Sequence, residues 1–421
     1  MAASSSRPRI SVVVPTRERD RTLPATLSTC VAQSYPELEI VVHDNASSPA
    51  TAEAVAKFDD RRLKYFRSEE RLSMRANFEA ALARTTGDYV VFIGDDDALA
   101  IDGIARLADL LVETGAEVVK WALPHYIWPD RAVSGAGYLT LKDPKLFWDY
   151  STYDGPATLD LMCAAQVRNY MNGPDIYHGC VARSVIEQIR PKTGEYFAYT
   201  IPDVYATVAN LFVVRTILHV RHPLSITGHS SSSTGMSFSE TKSAEGEVPT
   251  ETPYGRFVSE VKSDTGAQPY NPHIRSINYH TLVCLHIANE LLGAGREINV
   301  EGWIDKAVAE TVADPQFLAE AHRAEEVWPY DRMLLDRLPP PPDAAASRQR
   351  ARVETHGTRR SFRKLDVPTS IDGRDDAWTA AETLNRLTST GYTIGRRGVM
   401  SPARHFWHWT QLRRRASPLF G

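Results

Sequence analysis

Cysteine is scarce in this chain. Its four cysteines, Cys30, Cys163, Cys180 and Cys284, stand far apart among 421 residues. They make no metal-type spacing and read as reduced core thiols of a cytosolic protein. Long apolar runs are also missing, so no segment reaches the length of a membrane span. The first residues, Met-Ala-Ala-Ser-Ser-Ser-Arg-Pro-Arg, lack an apolar stretch, and a secretory signal is not expected. Charge of one sign is not in excess either. A net charge of -4 gives no overall sign of a nucleic-acid binder, and none is expected as a partner.

What is present is an ordinary soluble composition, 43% hydrophobic and 24% charged, in a chain long enough for more than one domain. The first hundred residues alternate strand and helix patterns. Ile10-Ser-Val-Val-Val-Pro15 and Leu38-Glu-Ile-Val-Val-His43 are β-branched runs of the kind buried in parallel sheets. Leu63–Phe66 and Tyr89–Ile93 read as two further strands. Helical spacing fills the gaps at Leu23–Gln33, Thr51–Phe58 and Ser73–Thr85, then continues at Ile101–Thr114 before a strand at Glu117–Leu123. Such alternation predicts an α/β fold with a mainly parallel sheet and helices on both faces.

In sheets of this kind ligands bind at the carboxyl ends of the strands. That rule gathers Thr16, Arg17, Asp44, Asn45 and the triplet Asp95-Asp96-Asp97 along one edge. Three adjacent carboxylates are too costly for the middle of a buried strand. At a strand end they can hold a hard divalent cation, or they can simply form an acidic turn. Asp-Asn-Ala-Ser-Ser after the second strand is likewise good turn and cap chemistry, with or without a ligand.

Further along, Gly179–Arg183 and Arg215–Val220 read as strands, Ser184–Ile189 and Ile201–Leu211 as helices. These patterns predict a catalytic domain over residues 1–230, a mobile loop over 231–255 and a helical region over 256–337. A Pro-rich and basic linker (338–370) and a basic tail (371–421) complete the chain.

The ordered pieces Ser11-Val-Val-Val-Pro15-Thr16, Val41-Val-His-Asp44-Asn45-Ala-Ser47, Arg75-Ala-Asn77 and Phe92-Ile-Gly-Asp95-Asp96-Asp97 resemble the inverting glycosyltransferases of family 2, which have the GT-A fold. The resemblance covers about residues 8–230. Ile201-Pro-Asp203-Val-Tyr and Pro223-Leu-Ser-Ile-Thr-Gly-His-Ser are similar to a bacterial branch associated with surface polysaccharide assembly.

The resemblance implies a nucleotide-sugar donor, a UDP-sugar as first choice, with Mg2+ or Mn2+, and a glycan or lipid-linked acceptor. It implies that Pro15, Thr16 and Arg17 line the nucleotide pocket and that Asp44 and Asn45 meet the base. Arg75 and Asn77 would lie near the nucleotide. Asp95 and Asp96 would lie near ribose and metal, with Asp97 as the direct ligand. The family usually has an acid where Gly94 stands, so these roles are open by one position.

Asp203 is the candidate general base, following Pro202 at a helix start. That position also suits a plain helix N-terminal acid. His229 is a candidate metal ligand alongside Asp95 and Asp97, with His222 competing and simple solvation as the bland reading. Tyr177-His178-Gly179 is expected to border the acceptor cleft. Trp148, Tyr150, Tyr153 and Tyr170 are either sugar-stacking rings or core.

In the tail, Phe406, Trp409 and Leu412 share a helix face near Arg413-Arg414-Arg415. The pattern suits a peripheral contact with the inner face of the membrane, or docking on the protein itself. Two alternatives to a transferase stand beside it. One is a degenerate carbohydrate-binding or scaffold subunit. The other is a sugar-phosphate nucleotidyltransferase, disfavoured because Thr16-Arg-Glu-Arg-Asp20 replaces a glycine-rich phosphate loop.

Overall fold

The computed structural model describes residues 7–142, 149–168, 170–239, 252–341, 364–388 and 395–396. Its strands are β1 (Ile10–Thr16), β2 (Leu38–Asp44), β3 (Leu63–Arg67), β4 (Tyr89–Phe92), β5 (Ala98–Leu99), β6 (Val118–Trp121) and β7 (His125–Ile127). They continue with β8 (Tyr138–Lys142), β9 (Asp149–Asp154), β10 (Gly179–Ala182), β11 (Thr216–Val220), β12 (Ser225–His229), β13 (Lys364–Pro368) and β14 (Gly395–Arg396). Nine of them form one sheet in the order β14-β9-β11-β6-β10-β4-β1-β2-β3. The run β4-β1-β2-β3 is parallel, as the alternating pattern predicts.

Side-chain alternation explains why these strands sit inside. Val13 of β1 shares one face with Val41, Val90 and Phe92. Val12 and Val14 share the other with Ile40, Val42, Val91 and Ile93. All are fully buried, and each such burial contributes about 1.5–3 kcal/mol. Glu39 is the exception in the middle of β2. It accepts hydrogen bonds from Ser11 Oγ (2.6 Å), Lys64 Nζ (2.7 Å) and Thr86 N–H (2.8 Å). Burial alone would raise its pKa, but these donors outweigh it and hold the carboxyl at about 2.

The helices on the sheet are α1 (Leu23–Val31), α2 (Pro49–Val55), α3 (Met74–Leu82), α4 (Gly103–Thr114), α5 (Gly155–Cys163), α6 (Arg183–Thr193) and α7 (Pro202–Leu211). Local chemistry starts several of them. Ser73 caps α3 by accepting from Ala76 N–H, and Asp154 caps α5 by accepting from Ala157 N–H. Each cap contributes about 1 kcal/mol. Further helices follow at Pro253–Val261, Ile277–Leu291, Val300–Ala313, Pro315–Ala321 and Pro329–Leu335. Their Tyr254, Leu282, Ile287 and Trp303 share one core with Val185 of α6 and Val204 and Val208 of α7. The helical region is thus packed onto the sheet through α7.

A second sheet, in the order β13-β8-β7-β12-β5, has no counterpart in the sequence patterns. Segments within the expected linker and tail contribute to it and to the core beneath. β13 pairs antiparallel with β8, and helix Ala377–Thr388 lays Ala377, Ala380, Ala381, Leu384 and Leu387 into a core with Tyr126, Leu139 and Ile226. The pairing joins segments more than 220 residues apart, which local periodicity cannot show. The aromatic and arginine cluster from Phe406 to Arg415 and Trp148 lie outside the described residues. Among the described residues no helix is long and apolar enough to cross a membrane.

Candidate active site

The three parallel strands β4, β1 and β2 end side by side. Thr16 is in register with Asp44, and Asn45 N–H donates to the Thr16 carbonyl at 2.9 Å. Pro15 and Thr16 close β1, and Arg17 turns across to β4, where its N–H donates to Asp95 Oδ2 at 3.3 Å. Topology therefore converges residues from three separate segments, as the strand-end rule requires.

Many of the expected nucleotide-site side chains are engaged within the protein. Asp44 accepts from Ser47 N–H at 3.0 Å and from the Tyr65 hydroxyl at 2.5 Å. Asn45 clasps the backbone of Leu72 through both amide atoms, at 2.8 and 2.7 Å. Asn77 Oδ1 meets His43 Nδ1 at 2.8 Å, holding α3 against β2. Arg75 is buried, with a two-pronged grip on Asp264 (2.9 and 2.7 Å) and a contact with Glu195. It is not a solvated helix residue, because both acids arrive from distant segments to enclose it. Arg17 pairs with Glu260 of helix Pro253–Val261.

The aspartate turn divides its carboxylates. Asp97 is the most engaged of the three: Oδ1 accepts from Gly228 N–H at 2.6 Å, and Oδ2 accepts from Gly94 N–H and, at 2.9 Å, from the Tyr177 hydroxyl. His178 Nε2 also lies 2.9 Å from Oδ2. Burial opposes the charge, but His178 and these hydrogen bonds keep Asp97 below the usual carboxylate range. The turn's backbone is pinned as well, by Trp128 Nε1–H on the Asp96 carbonyl (2.9 Å) and Thr26 Oγ on the Asp97 carbonyl (2.7 Å). Gly228 permits the close approach of β12, since a Cβ there would stand 1.8 Å from the Asp96 carbonyl oxygen.

Asp95 and Asp96 are held more loosely. Asp95 meets Arg17 N–H and Arg19 Nε, both at 3.3 Å, and Asp96 Oδ2 accepts from Ser230 Oγ at 2.6 Å. Burial, then repulsion from Asp97 and Asp95, pushes Asp96 up to about 7. Burial likewise raises Asp95, against the pull of Arg19. Two crowded carboxylates with oxygens to spare suit a hard cation, which binds through one or two carboxylates plus phosphates and water. Asp97 has less to spare, with Oδ2 doubly engaged and Oδ1 bonded once, to Gly228 N–H. His229 Nε2 lies 2.7 Å from His125 Nδ1, and His222 is buried. Among the described residues no group of three or more His, Cys, Asp or Glu encloses a single metal position.

Asp203 opens α7 directly after Pro202. Its Oδ2 accepts from the Tyr170 hydroxyl at 3.0 Å, and burial raises its pKa while that hydrogen bond lowers it. Asp175 lies beside it and is pushed well up, first by burial and then by the charge of Asp203. Tyr170 is thus a buried partner of Asp203, Tyr150 is buried and donates to Glu113, and Tyr153 is exposed. Arg19 and Ser230 stand inside the motif segments Thr16–Asp20 and Pro223–Ser230 without a role of their own; only the fold brings them to Asp95 and Asp96.

Comparison with known proteins follows the same stretch of chain. Residues 11–155 match the model of the family described as Glycosyl transferase family 2. That stretch carries β1, β2, β4 and the aspartate turn. The GalNAc(5)-diNAcBac-PP-undecaprenol beta-1,3-glucosyltransferase of Campylobacter jejuni is 32% identical over 114 residues, 26% of this chain and 37% of that protein. The abequosyltransferase RfbV of Salmonella typhimurium is 32% identical over 135 residues, 28% of this chain and 40% of that protein. The UDP-Glc:alpha-D-GlcNAc-diphosphoundecaprenol beta-1,3-glucosyltransferase WfgD of Escherichia coli is 28% identical over 88 residues, 21% of this chain and 35% of that protein. The chain therefore spans less than half the length of these relatives.

Proposed function

We propose that this chain is an inverting glycosyltransferase that moves one sugar from a nucleotide-sugar, a UDP-sugar first, to a hydroxyl of a glycan or lipid-linked acceptor in surface polysaccharide assembly. The observation that carries it is the convergence of Thr16, Arg17 and Asp95–Asp97 at adjoining strand ends within the family-matched stretch. The activities in the relatives' names, two of them on undecaprenol-diphosphate-linked sugars, support the acceptor class.

Asp95 and Asp96 would hold Mg2+ or Mn2+. A cation bound there supplies Lewis-acid stabilisation of the departing diphosphate. Arg19 places positive charge beside Asp95, while Arg17 offers its backbone N–H and pairs its guanidinium with Glu260. Asp97 anchors the turn. Asp203 takes the proton of the acceptor hydroxyl as its oxygen forms a bond to the sugar's anomeric carbon and the nucleoside diphosphate leaves from the opposite face. Burial suits this task, because a base works best with a pKa raised toward the working pH.

The test is a panel of UDP-, GDP- and dTDP-sugars with Mn2+ and lipid-linked or oligosaccharide acceptors, read by nucleotide release and product mass. Transfer from one donor class is expected. Folded protein that binds glycan but no nucleotide would instead identify a carbohydrate-binding subunit.

A further inference from the structure

The grip on Asp97 comes from a segment outside the family-matched stretch. Ile176 and His178 flank the last residue of β4: Phe92 N–H donates to the Ile176 carbonyl and His178 N–H to the Phe92 carbonyl, both at 2.9 Å. Tyr177, between them, reaches Asp97 with its hydroxyl, and its ring stacks on Phe78. A side chain at position 94 would begin 2.5 Å from that hydroxyl and 2.8 Å from Asp97 Oδ2. Gly94 is therefore the space that the Tyr177 hydroxyl uses.

His178 is fixed just as firmly. Its backbone sits at φ 53°, a left-handed conformation that a non-glycine residue keeps only where its surroundings impose it. Its Nδ1 lies 2.7 Å from Ser225 Oγ, which itself accepts from Trp121 Nε1–H at 2.8 Å. The indole can only donate, so the Ser225 hydroxyl is available to donate to Nδ1, which leaves Nε2 facing Asp97 Oδ2 at 2.9 Å, close but outside hydrogen-bond alignment. Three residues upstream of His178, Asp175 is close enough to feel the charge of Asp203. One short segment thus touches the anchor of the donor carboxylates and the neighbour of the base.

We propose that Tyr177 and His178 are positioning residues for donor binding: they hold Asp97 and, through it, the turn that presents Asp95 and Asp96. The proposal rests on the glycosyltransferase reading above. The experiment uses the full chain as wild type, Tyr177→Phe, His178→Gln, Gly94→Ala, and Gly94→Ala combined with Tyr177→Phe. Calorimetry with UDP, GDP and dTDP, each with Mn2+, is read beside the thermal midpoint and the donor KM and kcat.

Tyr177→Phe keeps the ring and removes one charge-assisted hydrogen bond. It is expected to weaken nucleotide–Mn2+ binding and raise donor KM about tenfold, with kcat within about twofold and the thermal midpoint little changed. His178→Gln, which keeps a donor on the side chain, should lose less than Tyr177→Phe. Gly94→Ala should bind worst, and adding Tyr177→Phe should recover part of the loss. Wild-type affinity and KM in Tyr177→Phe, or no recovery in the double variant, would overturn the proposal. A wild-type chain that binds none of UDP, GDP and dTDP would overturn the glycosyltransferase reading and this proposal with it.

Discussion

Asp97 and Asp203 are carboxyls that burial affects in the same direction, yet the two regions reach opposite results. Asp97 sits among two backbone N–H groups, a tyrosine hydroxyl and a histidine, and these groups hold it in the charged form. Asp203 has the Tyr170 hydroxyl and the first N–H groups of α7, with Asp175 beside it, and its pKa stays raised. The difference shows how one residue type becomes a fixed anchor in one place and a proton acceptor in another. Asp95 and Asp96 share the upward push of burial with Asp203, and Asp96 is crowded further by the charges of its neighbours.

The largest effect should come from emptying the Asp95 and Asp96 pair. Asp95→Asn with Asp96→Asn removes both carboxylates offered to the cation, and kcat/KM should fall on the order of 10²–10³-fold or more. Calorimetry should show nucleotide binding that no longer depends on Mn2+. Unchanged Mn2+ dependence would move the cation elsewhere.

A smaller change sharpens the base side. The Tyr170 hydrogen bond lowers the pKa of Asp203, so Tyr170→Phe raises it further. The base acts deprotonated, so activity is lost as pH falls through that pKa. The acid limb of the pH–rate profile should therefore move to higher pH, with the rate on the alkaline side nearly kept. An unmoved limb would detach Tyr170 from Asp203 in the working enzyme.

The smallest effect on chemistry is expected far from both carboxyls. Leu384→Ala empties a buried site beneath the second sheet and should cost about 2–5 kcal/mol in chemical denaturation. The kcat of the folded protein should stay near wild type. A fall in kcat at equal folded fraction would tie the C-terminal helix to the site.

How far these features show in the sequence depends on the range of the interactions. β1 to β4 and their helices are visible because apolar period and cap residues are local signals. The strand-end carboxylates follow from topology once the alternation is recognised. Arg75 is different: a helix position alone does not reveal that Glu195 and Asp264 enclose it. The second sheet is hidden for the same reason, since β13 gains its partner from a strand separated from it by most of the chain. Gly94 is legible only in part. Its departure from the usual family acid is plain in sequence, but its cause, the Tyr177 hydroxyl, is visible only in the fold.

The division of labour between the two regions meets its most direct test in Asp203→Asn, measured with the donor found by the panel. Transfer should fall about 10²–10⁴-fold, the usual contribution of a general base, while nucleotide–Mn2+ affinity by calorimetry stays at the wild-type value. Near-normal transfer, or a loss of donor binding equal to the loss of rate, would contradict the account.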